Sequence, residues 1–271
     1  MAKRHLISYM QKKKIDEKMV ANLLDISISC NHFSNNGPVK QRLEETLTEL
    51  FKLPMDKHII CTSSGTSALH TIMLYCQKQH HVKRWVTPSF NFPSVASAIR
   101  ADVAIFDIDN ETFTLPMDES ILAPFDGIIL TNLFGTYLDI FEWELFCEKH
   151  NKILIFDNAS SPLSEYNNAS LNHYGTYSFG SLHHTKYLGF GEGGYIVAKK
   201  EKRGMVSNLG WALGYLGGLI SLAIVFVILS FAKDKNYEIF GESVFLFIGP
   251  FVGFWTFIFG IKHITKFRNK F

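Results

Sequence analysis

The chain has 271 residues, of which 47% are hydrophobic and 19% charged, and a formal net charge of +2. The apolar content excludes a disordered chain, and the small net charge excludes a dedicated nucleic-acid binder, which carries a strong basic excess. Residues 204–271 hold 9 of the 52 charged residues but 11 of the 24 Phe, so the chain reads as two parts joined near residue 204.

Residues 1–36 form an N-terminal segment. Its first stretch, MAKRHLISYMQKKKIDEK, is basic with no apolar run behind it. A secretory signal needs such a run, so the first part is expected to stay in the cytoplasm. Val39–Leu50 predicts an amphipathic helix, with Val39, Leu43, Leu47 and Leu50 at helical spacing. Beyond it, short β-type runs alternate with helical patterns. The runs are His58–Thr62, Arg84–Thr87, Val103–Ile108, Gly127–Leu133, Lys152–Asp157, Thr176–Leu182 and Gly194–Lys199. The intervening predicted helices are Thr66–Gln77, Pro93–Arg100, Met117–Leu122 and Leu138–His150. Such strand–helix–strand repetition predicts an α/β fold with a seven-stranded, mostly parallel sheet covered on both faces. Ligands of such sheets bind at the carboxyl ends of the strands.

Three features stand there. The first is Thr62-Ser63-Ser64-Gly65-Thr66-Ser67, running directly into a helix. Small residues and a helix N-terminus suit an anion, although a Ser/Thr helix cap reads the same way. The second is Asp157 after the apolar run Ile153–Phe156, placed either as a helix cap or beneath a ligand. The third is Ser181-Leu182-His183-His184-Thr185-Lys186 followed by the glycine-rich turn Gly189–Gly194. A lysine just past a strand is a candidate Schiff-base amine; a solvated surface lysine is the alternative. Cys30, Cys61, Cys76 and Cys147 lack zinc spacing and read as buried or partly buried thiols in a reducing compartment, and no metal site is expected.

From about Gly37 to Lys199 these motifs, in order and spacing, resemble the large domain of the DegT/DnrJ/StrS family. These are pyridoxal-phosphate sugar aminotransferases of fold type I. Further matching stretches are Asn36-Gly37-Pro38, Pro88-Ser89-Phe90-Asn91-Phe92, Phe106-Asp107-Ile108-Asp109 and Asn132-Leu133-Phe134-Gly135. The resemblance implies pyridoxal 5'-phosphate as cofactor and Lys186 as both the Schiff-base lysine and the proton-moving base. It implies that Asp157 pairs with the protonated pyridine nitrogen. It further implies that Phe92 stacks on the ring, and that the N–H groups of Thr66 and Ser67 hold the phosphate with the Ser181 hydroxyl. Substrates would be a keto-sugar nucleotide and an amino donor, usually glutamate in this family, and the enzymes pair as homodimers. Two positions depart from the family: Ser160 and Pro162 stand where it usually has Gln and His. Lys186 sets the chain apart from the dehydratase branch, which has His in its place.

The last part reads differently. Leu209–Phe231 and Ser243–Ile261 are uncharged runs of 23 and 19 residues. As helices they measure roughly 34 Å and 28 Å, enough to span a bilayer as a hairpin. Lys199, Lys200, Lys202 and Arg203 precede the first run, and Lys262, Lys266, Arg268 and Lys270 follow the second. By the positive-inside rule both termini then face the cytoplasm. Asn208–Gly218 is similar to a helix of a vacuole-effluxer-like major-facilitator transporter. The expected molecule is a membrane-tethered aminotransferase large domain (37–203), with turnover impaired by the absence of the family's C-terminal domain. The alternative is a non-catalytic truncated or fused chain that carries a transporter fragment.

Overall fold

The computed structural model describes residues 13–33, 36–96, 102–134, 139–189 and 191–200, and the short strands at 238–239 and 242–243. The first compact unit, Met1–Gly210, is built on a seven-stranded sheet. Its strands are β1 (Lys57–Thr62), β2 (Arg84–Pro88), β3 (Asp102–Phe106), β4 (Gly127–Thr131), β5 (Ile153–Asp157), β8 (Tyr177–Ser181) and β9 (Gly194–Lys199). They lie in the order β1-β9-β8-β5-β4-β2-β3. The five strands from β8 to β3 are parallel, and β9 alone runs against its neighbours. This is the expected seven-stranded, mostly parallel sheet, with β9 as a late return strand.

Central strands of such a sheet must be apolar on both faces. All five residues of β4 and of β8 are buried. Alternate residues feed two cores. Ile129, Ile155, Tyr177, Phe179 and Ile196 face the core under helix α3 (Gly65–Gln79). Ile128, Leu130, Leu154 and Phe156 face the core that contains Trp143 and Cys147 of α6 (Ile140–Lys149). Leu47 of α2 (Pro38–Leu50) packs with Ile59, Tyr195 and Val197 beside the exposed edge. The Glu44 carboxylate there accepts the Cys61 N–H at 2.8 Å, which caps a donor of the edge strand β1.

Helix ends follow side-chain caps. Asp118 shortens the helix expected over Met117–Leu122 to α5 (Glu119–Leu122), because its carboxylate caps Ser120. Asp139 likewise starts α6 at Ile140, later than the expected Leu138. Of the helix expected over Pro93–Arg100, α4 occupies Pro93–Ala96, and 97–100 lie outside the described residues.

A helix and a short hairpin in the first unit were not expected. Helix α1 (Glu17–Ser29) is capped by Asp16, and Met19, Val20, Leu24 and Ile28 on it are more than half exposed. A hairpin of β6 (Glu165–Tyr166) and β7 (Ala169–Ser170) turns at Asn167 and Asn168, both at positive φ. Cys30 is exposed, against the expectation of four covered thiols, because it caps the end of α1 rather than facing a core.

Of the second compact unit, Trp211–Phe271, the described part is an antiparallel pair, β10 (Glu238–Ile239) with β11 (Glu242–Ser243). Apart from Ser243, the two expected membrane spans lie outside the described residues. Among the described residues no helix is long and apolar enough to cross a membrane.

Candidate active site

A cavity of about 550 Å³ opens where the strands end. It is lined by residues that end or follow β1 (Ser64, Thr66), β2 (Phe90, Phe92), β4 (Thr131), β5 (Asp157, Ser160) and β8 (Ser181, His183, Lys186, Glu192). The strand-end residues Thr131, Asp157 and Ser181 fall on the α3 side of the sheet, in step with Ile129, Ile155 and Phe179 below them.

Asp157 is 3% exposed. Its Oδ1 accepts the Ala159 N–H at 2.9 Å. Burial pushes its carboxyl up to about 6, opposed by that hydrogen bond and by the Lys186 charge. Lys186 reaches the same cavity from the loop after β8. The loop is closed by a Lys186 N–H bond to the His183 carbonyl and a Gly189 N–H bond to the Lys186 carbonyl. Lys13 Nζ donates to that same carbonyl at 2.6 Å. The Lys186 ammonium stands 5.6 Å from the centre of the Phe92 ring. Phe92, 62% exposed, is fixed through Asn91. The Asn91 amide donates to Thr87 Oγ1, and its Oδ1 accepts both the Phe92 N–H and the Thr131 hydroxyl.

The loop expected to hold a phosphate is less open than the sequence suggests. Ser64 caps α3 by accepting the Ser67 N–H at 3.0 Å, while Ser67 Oγ accepts the Ser64 N–H at 2.9 Å. Ser67 is therefore occupied by a capping box, and Thr66, not Ser67, lines the cavity. The Ser181 oxygen accepts the His183 N–H at 3.2 Å and keeps its own proton to donate. Gly194 must be glycine for the loop to lie where it does. A Cβ there would come within 2.4 Å of the Ser64 carbonyl group and 2.6 Å of Gly65 N.

Sequence reasoning passed over Glu192, whose carboxylate lies 3.8 Å from His183 Nε2, and Thr185, whose hydroxyl lies 2.8 Å from His183 Nδ1. The glycine-rich turn around Glu192 was the available signal. Ser160, standing where the family has Gln, turns its hydroxyl onto the Asn132 carbonyl at 2.9 Å. Among the described residues no cluster of side chains could hold a metal ion.

These donors fit pyridoxal phosphate. A buried carboxylate with one oxygen uncommitted suits a protonated ring nitrogen, an aromatic ring suits its face, and a primary amine suits its aldehyde. The comparisons with known proteins agree. The chain matches the DegT/DnrJ/EryC1/StrS aminotransferase family over residues 13–205 and belongs to that family, whose members use pyridoxal phosphate. The match starts earlier than the expected Gly37, so it includes α1. The chain is 27% identical to dTDP-4-amino-4,6-dideoxy-D-glucose transaminase of Shigella dysenteriae over 198 residues, 69% of this chain and 52% of that protein. Among solved structures it resembles DesI, determined in the presence of its TDP-sugar product, with a TM-score of 0.62 at 22% identity. That likeness covers 74% of this chain and 50% of DesI. It also resembles Helicobacter pylori PseC, an aminotransferase of pseudoaminic acid biosynthesis, with a TM-score of 0.59 at 20% identity, covering 74% of this chain and 53% of PseC. The chain thus spans about half the length of these relatives. None of these matches supports the expected transporter-like tail.

Proposed function

We propose that the chain binds pyridoxal phosphate on Lys186 and transfers an amino group from an amino acid, glutamate by the family's habit, to a keto-sugar nucleotide. One observation carries the reading: a primary amine, a buried carboxylate and an aromatic ring, from three different strand ends, converge on one cavity. The bound cofactor supplies an electron sink for the bonds at the substrate carbon. Lys186 Nζ would hold the cofactor, and as a free amine it would move the proton at the substrate carbon. Asp157 keeps the ring nitrogen protonated by accepting its N–H. Phe92 covers one face of the ring and excludes water from it. The Thr66 N–H and the Ser181 hydroxyl bind the phosphate.

Borohydride reduction of the cofactor-loaded protein followed by peptide mapping should place the adduct on Lys186; an adduct elsewhere, or none, refutes the assignment. Adding glutamate and following conversion of the cofactor to its amine form then separates enzyme from non-catalytic binder. The expectation is slow conversion, below the rate of about one per second or faster that enzymes reach.

The uncharged runs at 209–231 and 243–261, flanked by Lys and Arg, support a membrane attachment with the cofactor domain on the cytoplasmic side. Alkaline carbonate extraction should leave the chain in the pellet, and release into the supernatant would sink this part of the proposal. A homodimer across the site is the remaining expectation, and sedimentation of the detergent-solubilised chain tests it.

A further inference from the structure

Asp157 and Asn158 are consecutive at the end of β5, so their side chains leave on opposite faces of the sheet. Asp157 enters the cavity. Asn158, fully buried, points into a row of polar side chains on the far face. Its Oδ1 accepts from Asn132 Nδ2 at 2.6 Å, and its Nδ2 donates to Asn172 Oδ1 at 3.1 Å. Asn172 Oδ1 also accepts the Tyr195 hydroxyl at 3.3 Å, and Asn172 Nδ2 donates to the Pro162 carbonyl at 3.1 Å. The backbone is tied to the same row. Asn158 N–H donates to the Phe179 carbonyl, Ser161 N–H to the Asn158 carbonyl, and Asn132 N–H to the Asp157 carbonyl. Ser160 and Ser161 hydroxyls both donate to the Asn132 carbonyl.

Every polar group of Asn158 is thus engaged, in a site without water access. Buried amides whose donors and acceptors are matched hold a single geometry, since any shift leaves one unpaired; in this row Asn132 Oδ1 alone has no hydrogen-bond partner among the described residues. That geometry includes the turn from Asp157 to Ser161, which carries the Ala159 N–H that binds the Asp157 carboxylate. Gly180 makes room for the row's far end, because a Cβ there would come within 2.4 Å of the Tyr195 ring.

We propose that the row Asn132–Asn158–Asn172–Tyr195 is a positioning device: it acts through the 157–161 turn to hold the Asp157 carboxylate against the Ala159 N–H and facing the cavity. The role of Asp157 toward the cofactor rests on the function proposed above; the positioning itself does not. The ionisable groups around Asp157 are His183, Lys186 and Glu192, which share the cavity with it on the loop between β8 and β9, and Tyr195 on β9.

The test reads Asp157 directly. In the cofactor-free full chain, carbon-13 NMR of labelled aspartate carboxyls, assigned with Asp157→Asn, gives its titration midpoint. Removing the hydrogen bond to its ionised form raises that midpoint. In Asn158→Leu the midpoint should rise by about one pH unit. In Tyr195→Phe, which deletes only one hydroxyl and keeps the fold, it should rise in the same direction by a smaller, measurable amount. Hydrogen exchange at the Ala159 amide should speed up in both. An unchanged midpoint and unchanged Ala159 exchange in Tyr195→Phe, or in a folded Asn158→Leu, overturns the proposal. Absence of a cofactor adduct on Lys186 would refute the function while leaving this result standing. An adduct on Lys186 with an immobile Asp157 midpoint would do the reverse.

Discussion

Two loops cross the carboxyl edge of the sheet on either side of β9, and they treat their polar groups in opposite ways. The loop from Thr62 to Ser67 closes on itself. Ser64 and Ser67 satisfy each other's backbone, and the Thr62 hydroxyl donates to the Ser64 carbonyl. The loop from Ser181 to Gly194 closes its backbone through the His183 and Lys186 carbonyls but leaves the Lys186 amine with no hydrogen-bond partner among the described residues. Both are short, rich in small residues and adjacent in space. The difference teaches that small residues at a strand end can be used up in scaffolding, whereas a group left without a partner beside a cavity stays available to a ligand.

That contrast predicts a ranking of effects. Lys186→Ala should abolish covalent cofactor attachment altogether, because among the described residues no other primary amine lines the cavity. Mass spectrometry after borohydride reduction reads this. Retention of the adduct in the variant would break the comparison at its centre.

Asp157→Asn comes next. Losing the charge that would face the ring nitrogen should cost on the order of a hundredfold in the glutamate half-reaction. Stability should move the other way. Burial raises the Asp157 carboxyl to about 6 in the folded chain from an ordinary value near 3.8. A raised folded-state value means that its stabilising contribution is full below about pH 4 and is lost as pH rises through 6. At pH 8 the buried charge therefore costs roughly 2–3 kcal/mol in the cofactor-free protein. Urea unfolding should show Asp157→Asn more stable than the native chain at pH 8, with the gap closing toward pH 4. A gap independent of pH would mean that Asp157 is not held in the way its burial implies.

Gly194→Ala sharpens the scaffold side. The added methyl would meet the Ser64 carbonyl and Gly65 nitrogen, which are backbone atoms that cannot swing aside. Forced backbone shifts of this kind cost about 1–3 kcal/mol. Thermal unfolding measures the loss, and an unaltered melting temperature would show the two loops to be less closely apposed.

How much of this is legible in the sequence follows from what each residue needs. The central strands are readable because a parallel sheet buries both faces, so Ile128–Leu130 and Ile153–Phe156 appear as continuous apolar runs. Asp157 is readable from its place after the second of those runs, and Lys186 from its place between the strand that ends at Ser181 and the glycine-rich turn Gly189–Gly194. Helix α1 is hard to read although Asp16 supplies its cap, because its apolar residues Met19, Val20, Leu24 and Ile28 are mostly exposed and mark no buried face. The β6–β7 hairpin has strands of two residues, too short for any periodicity. Least legible is the row beneath Asp157. Asn132, Asn158 and Asn172 lie far apart in sequence, an asparagine reads as a loop residue, and only the strand order brings them together.

The smallest effect tests the phosphate loop itself. Ser64 caps α3, and removing a serine N-cap costs about 1 kcal/mol. The same hydroxyl occupies the Ser67 N–H, a donor that an anion at this helix end would otherwise take. In Ser64→Ala the cofactor-free chain should therefore lose about 1 kcal/mol of stability, because the freed N–H is left to water. When the cofactor binds, its phosphate can take the vacant donor, so affinity should hold or tighten while stability falls. Serine caps with no stake in a ligand do not separate the two quantities in this way. Unfolding curves with and without pyridoxal phosphate, together with a titration of its absorbance, read both in one preparation. A variant that loses stability and affinity in equal measure would show that the cap is needed to shape the anion site. The self-satisfied loop would then belong to the binding machinery as much as the loop that carries Lys186.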